Sequence, residues 1–265
     1  MDRIETLLDH FHLEDLRNKS HPSIFDEDND YDMLIVRLPI VGDFLDIVSL
    51  GFIITLENSY LYNTTDHRLE VLSSRFDGPY KAIDKILDKL LESLHTYEDK
   101  IADMEESLYE DSVQKSFMTH WLDLKKDLLR VERIMSRTST VMKRMIDHYE
   151  EVNDFPMNHY VDIHEHCERI VRSASLQLSK LDYLYSFYNT RTNEKMNRLI
   201  FLLTIISAIF LPLNLLVGFF GMNTTSLPFT EGTGGTLNAI LVMGMLMAIT
   251  SLLVFVWRRN IEKES

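Results

Sequence analysis

Cysteine is almost absent from this 265-residue chain. Cys167 stands alone, so no internal disulfide can form, which fits a reducing compartment. Basic residues are also in short supply: 27 Lys and Arg face 41 Asp and Glu, for a formal net charge of −14. That balance argues against nucleic acid as a partner and against a surface held to anionic lipid. It suits divalent cations as well as a merely solvated surface. Catalytic signatures are missing too. There is no Gly-Lys-Ser/Thr phosphate loop and no nucleophile motif with its partners, so neither ATP-driven work, enzyme activity nor a bound cofactor is expected.

Charge is wholly absent from two C-terminal runs, 199–220 and 237–257. At ~1.5 Å per residue each reaches ~30 Å, the thickness of a bilayer core. Residues 1–12 are charged and carry no apolar core, so no signal peptide is expected. Arg191, Lys195 and Arg198 precede the first run, and Arg258, Arg259 and Lys263 follow the second. The loop between them, 221–236, has no Lys or Arg and one acid, Glu231. The positive-inside bias then places both termini in the cytoplasm of a multi-pass protein, with Trp257 as an interfacial anchor.

Fold class follows from the pattern: an α+β cytoplasmic domain, a long stalk helix and two C-terminal transmembrane helices. Residues 1–77 read as a small α/β subdomain, with a helix over 3–11 and strands over 31–40, 45–55 and 59–63. Gly78-Pro79 reads as a break. Residues 78–155 read as helical arms. Ile83, Ile86, Leu87, Leu90, Leu91 and Leu94 form one apolar stripe; a second helix fits 113–149 with Trp121, Leu124, Leu128, Val131, Ile134 and Met135. Asn153 or Asp154 can cap a third helix whose first turn holds Pro156. No glycine or proline then occurs before Pro212, so 156–198 predicts a stalk running on into a first span over 199–220. The second span, 237–257, and a basic tail, 258–265, complete the chain. Cys167, Ala174, Leu181 and Tyr188 recur every seven residues beside Ile163, Ile170 and Leu184, which predicts packing against copies of the same helix.

Polar residues in the first span are not scattered. Asn197, Thr204, Leu211 and Gly218 form one seven-residue line; Ile200, Ser207, Asn214 and Gly221 form its companion. Polar groups in hydrocarbon need partners or water. A single stripe is what a helix facing a wet axis requires. Close packing between helices explains the small residues equally well, but not Asn214. The histidines His159, His164 and His166 do not match a His-Glu-x-x-His pattern, and positions two apart face different ways on a helix, so solvated stalk histidines are expected there.

The segment 209–223, Ile-Phe-Leu-Pro-Leu-Asn-Leu-Leu-Val-Gly-Phe-Phe-Gly-Met-Asn, closely resembles the signature of the CorA family of divalent-cation transporters. Weaker likeness extends through Leu13-Glu14-Asp15-Leu16, Gly51-Phe52-Ile53 and Asn193-Glu194-Lys195-Met196. The resemblance implies a homopentameric funnel in the inner (plasma) membrane, first spans around the pore, moving Mg2+, Co2+ or Zn2+. It implies a selectivity filter of Gly221, Met222 and Asn223, with Asn223 holding a hydrated metal cation. It makes Asn197, Ile200, Thr204, Ser207, Leu211, Asn214 and Gly218 pore-lining, with Leu211 as a hydrophobic constriction. The outer loop, Leu227-Pro228-Phe229, is similar to the zinc-transporting ZntB-like branch. The family's regulatory stalk carboxylate falls at Ser186, with Asp182 one turn earlier. A rival from another class is a non-conducting membrane anchor or sensor.

Overall fold

The computed structural model describes residues 8–42, 44–109, 116–222 and 234–264, with side chains placed up to residue 252 except at 236 and 239. It contains two compact units, Met1–Ser186 and Phe187–Ser265.

In the first unit, five strands form an antiparallel meander in chain order: β1 Ile24–Glu27, β2 Asp32–Val41, β3 Leu45–Ile54, β4 Ser59–Asn63 and β5 Arg68–Val71. β1 and β5 are additions to the strands expected. Each is four residues long, and Asp26, Glu27, Arg68 and Glu70 dilute the apolar signal. β2 reads as an unbroken apolar run because both its faces are covered: Met33 to Val36 are all buried. Met33 and Ile35 join Leu8, Leu16, Tyr31, Ile53, Tyr62 and Leu69 in one cluster. Alternation sends Leu34, Val36 and Leu38 to the opposite face, against the helices.

The first described helix, α1, is His10–Arg17; residues 3–7 of the helix expected over 3–11 lie outside the described residues. Asp9 sets the start of α1. Its side chain accepts from the Phe11 amide at 2.8 Å, capping a helix that starts after it. Residues 1–7 lie outside the described set. Gly78-Pro79 does not break the chain but sits in the first turn of α2, Asp77–Tyr109, where the missing proline N–H has no helical partner to lose. Glycine is required at 78, since a Cβ there would lie 2.5 Å from Leu72 Cβ. α3 spans Phe117–Tyr149 and α4 Met157–Phe220, one continuous helix of 64 residues. The expected start of α3, at 113, falls outside the described residues.

The seven-residue line on α4 is consumed within the chain, which corrects its assignment to self-association. Ile163, Cys167, Ile170, Ala174 and Leu181 have no exposed surface in the single subunit. α2 and α3 supply the cover. Trp121 Nε1 of α3 donates to the Leu181 carbonyl at 2.8 Å, and Gln177 of α4 donates to Glu98 of α2 at 3.0 Å. A helical period marks a buried seam, but not which chain covers it. An aromatic group ties the α3–α4 turn to the sheet: Phe76 lies 4.9 Å from Tyr149 and 5.0 Å from Phe155 between ring centres, and the Tyr149 hydroxyl bonds Asp32.

Burial pushes the Cys167 thiol up to about 12. With so little thiolate and no exposed surface, it should resist water-soluble thiol reagents at pH 8 until the domain is unfolded. Stoichiometric labelling of the native protein within minutes would contradict the buried seam.

In the second unit, α4 continues to Phe220, and α5 spans Gly235–Glu264.

Candidate functional site

Beyond Ser186 the surroundings of α4 change. None of the most apolar stretch of this helix is buried, and Leu203, Leu211 and Leu215 are 64%, 66% and 75% exposed. By length and composition this part of α4 can cross a membrane. In α5 the apolar stretch among the described side chains, Ile240–Leu252, is shorter. An isolated aqueous chain would not leave so many large apolar side chains uncovered; lipid or neighbouring helices cover them at no such cost.

The polar stripe lies on this uncovered helix. Seven residues of α-helix bring a side chain back to within ~20° of its start. Asn197, Thr204, Leu211 and Gly218 therefore share a line, with Ile200, Ser207, Asn214 and Gly221 beside it. All are exposed except Ser207, which is half-buried. Thr204 satisfies itself, its Oγ1 donating to the Ile200 carbonyl at 2.8 Å. Asn214 does not: its amide has no hydrogen bond within the described chain. Two donors and an acceptor at mid-span call for water, an ion's hydration shell or a polar group of another chain. Gly218 has open space around it, for a Cβ there would meet nothing within 4 Å. Its own chain therefore does not require glycine.

The helix ends just before Gly221-Met222-Asn223. The Gly221 amide donates to Val217 O at 2.9 Å, and the Met222 amide to Phe219 O at 3.4 Å. A Cβ on Gly221 would lie 2.9 Å from the same Val217 oxygen, so a larger residue would disturb the last turn. Asn223 and the loop through residue 233 lie outside the described residues.

The stalk histidines are partly engaged. His159 stacks on Tyr80 at 4.6 Å between ring centres, and His164 Nδ1 lies 3.1 Å from both the Ser139 hydroxyl and its carbonyl oxygen. His166 differs: with Asp84 and Asp162 it brings three potential ligand atoms within 4.8 Å of one another. Burial, then the neighbouring Asp88, raises the Asp84 carboxyl above its ordinary value. The donor set suits a divalent cation. Sequence reasoning missed it because Asp84 is on another helix; only the Asp162–His166 spacing was visible. Asp182, by contrast, is occupied: Lys125 Nζ lies 2.7 Å from its carboxylate and stands over the Trp121 ring.

An antiparallel sheet covered by long helices, and a helix end that is apolar, uncovered and striped with polar groups, fit a folded domain joined to a helix able to cross a membrane. The chain belongs to the CorA-like Mg2+ transporter protein family, whose pattern matches residues 2–259. Members of this family transport divalent metal ions. The chain is 27% identical over 175 residues to the putative metal ion transporter YfjQ of Bacillus subtilis, covering 63% of this chain and 54% of that protein. It is 25% identical over 178 residues to the cobalt/magnesium transport protein CorA of Thermotoga maritima, covering 64% and 48%. With the zinc transport protein ZntB of Vibrio parahaemolyticus it shares 24% over 157 residues, covering 59% and 50%. The match thus spans about half the length of these curated relatives. In three dimensions the fold is similar to the complete CorA magnesium transporter of Methanocaldococcus jannaschii, with TM-score 0.75 at 17% identity over 97% of this chain and 84% of that one. It is also similar to the full-length CmaX protein, with TM-score 0.69 at 16% identity over 95% and 81%.

Proposed function

We propose that this protein is a passive divalent-cation channel that takes up Mg2+ down the membrane potential. In this reading 199–220 and 237–257 both span the plasma membrane, the termini are cytoplasmic, and five subunits set their first spans around one axis. The 156–198 stretch of α4 is the stalk, and residues 1–155 form the cytoplasmic domain. Asn197, Thr204, Ser207, Asn214 and Gly218 line the pore, with Leu211 and Ile200 as apolar constrictions. Gly221, Met222 and Asn223 form the outer filter.

The observation that carries the reading is the unpartnered Asn214 amide on an apolar, uncovered helix. Mg2+ sheds water reluctantly, and a ring of amides can hold a hydrated ion without stripping it. Entry needs no ATP: each charge gains ~2.3 kcal/mol per 100 mV, and a divalent ion roughly twice that. Similarity to a zinc transport protein supports a second reading, Zn2+, Ni2+ or Co2+ movement coupled to protons.

Proteoliposomes with an inside-negative potential and no pH gradient separate the two. Mg2+ entry that scales with the potential is expected. Zn2+ flux that follows only a pH gradient would replace the Mg2+ reading with the second.

A further inference from the structure

Against the acidic composition, three arginines line one cavity of the first unit, and a fourth stands one helical turn away. The cavity measures about 480 Å3 and lies between the segment before β1, strand β2 and helix α3. Arg37 enters from β2, and Arg133 and Arg137 from α3. Arg130 stands one turn before Arg133, and its charge also reaches Arg37. Among the described residues none of the four forms an ion pair. Three spaced arginines on a helix would ordinarily be a solvated face. Arg37 is not ordinary: its Nε is buried and has no hydrogen-bond partner. Burial first, then Arg130 and Arg133, push its guanidinium below the usual value. A desolvated cation among like charges is costly unless an anion joins it.

The walls are fixed in place. The Ser23 hydroxyl lies 2.9 Å from that of Thr138, the Thr138 hydroxyl donates to Arg37 O at 2.9 Å, and Arg137 Nε donates to Ser23 O at 2.9 Å. One Arg37 Nη1 donates to Ser20 O at 3.3 Å, leaving the rest of the fork unassigned. Guanidinium forks match phosphoryl oxygens two at a time, and the volume lies in the range of small-ligand sites. The geometry points to a binding site for a small molecule bearing phosphoryl groups, gripped by Arg37, Arg133 and Arg137 with Arg130 adding charge. An acidic face of a second subunit fits less well: it could meet the exposed arginines of α3 but not the buried Nε of Arg37.

The test uses the full chain in detergent, titrated calorimetrically with pyrophosphate and, separately, with short-chain phosphatidic acid, so that a soluble phosphate and a lipid headgroup are told apart. Saturable binding of either supports the site and names its source. Arg133→Ala, at an exposed position, should weaken binding on the order of tenfold or more. Arg37→Lys, which keeps the charge but loses the fork, should weaken it comparably. Lys143→Ala, on the same helix but paired with Asp147 outside the cavity, should bind as the wild type does. No binding of either probe to folded wild type overturns the proposal, as does full affinity in Arg133→Ala. A smaller oligomer in Arg133→Ala, with no phosphate binding, would assign the arginines to contact between subunits. The readout is binding, so it stands apart from the transported ion.

Discussion

Asn223→Ala is expected to reduce potential-driven Mg2+ entry at least ~tenfold while leaving the oligomer and its melting temperature unchanged. The amide is the only side chain of the proposed filter able to accept hydrogen bonds from a hydrated ion. Alanine leaves the bound waters without partners at the outer mouth, so the ion is no longer concentrated there. The expected loss belongs to transport, because position 223 follows the end of α4 at Phe220 in sequence and lies outside the Ile163–Leu184 seam that closes the first unit. Flux is read in proteoliposomes, and assembly by size-exclusion chromatography. Undiminished Mg2+ entry in a correctly assembled variant would remove Asn223 from the filter.

The second large effect concerns the fold. Ile170→Ala should destabilise the protein by about 2–5 kcal/mol, the usual cost of a truncated core side chain and the cavity it leaves. Ile170 has no exposed surface and sits in the seam that α2 and α3 close over α4. Because that seam is internal to the subunit, the loss should not depend on protein concentration, and the oligomer should keep its size below the melting transition. A loss that disappears at high protein concentration would instead place Ile170 between subunits.

The seam illustrates how far sequence carries. Periodicity identified Ile163, Cys167, Ile170, Ala174 and Leu181 as buried, because a 3.6-residue repeat reflects one covered face. It assigned the cover to other copies, because the apolar stripes of α2 and α3 lie on separate helices and their docking is a tertiary fact. The central strands were legible for a similar reason: β2 is apolar on both faces and β4 is bounded by turn residues, whereas β1 and β5 are short and charged. Asp9 was readable in principle, since an Asx residue before an apolar run is a start signal. Gly78-Pro79 misled because the same pair that ends one element can open the next.

The candidate site divides along the same line. The polar stripe was visible because it lies on one helix, where residue spacing is geometry. The Asp84–Asp162–His166 group and the arginine cavity were not, because each joins residues of different elements. Arg37 and Arg133 are separated by most of the domain's chain, and no spacing rule links a strand position to a helix face.

Cysteine scanning of the first span tests the central claim most directly, and the burial of Cys167 makes the native chain a quiet background. Single cysteines at Asn197, Thr204, Asn214 and Gly218, and at Leu202, Ile209 and Leu216 on the opposite face, would be treated with a charged, membrane-impermeant thiol reagent during Mg2+ flux. The account predicts modification and block along the stripe, and neither at the three off-stripe positions. Equal reactivity around the helix, or reaction at Leu202, Ile209 and Leu216 while the stripe stays silent, would contradict a water-filled axis lined by this face.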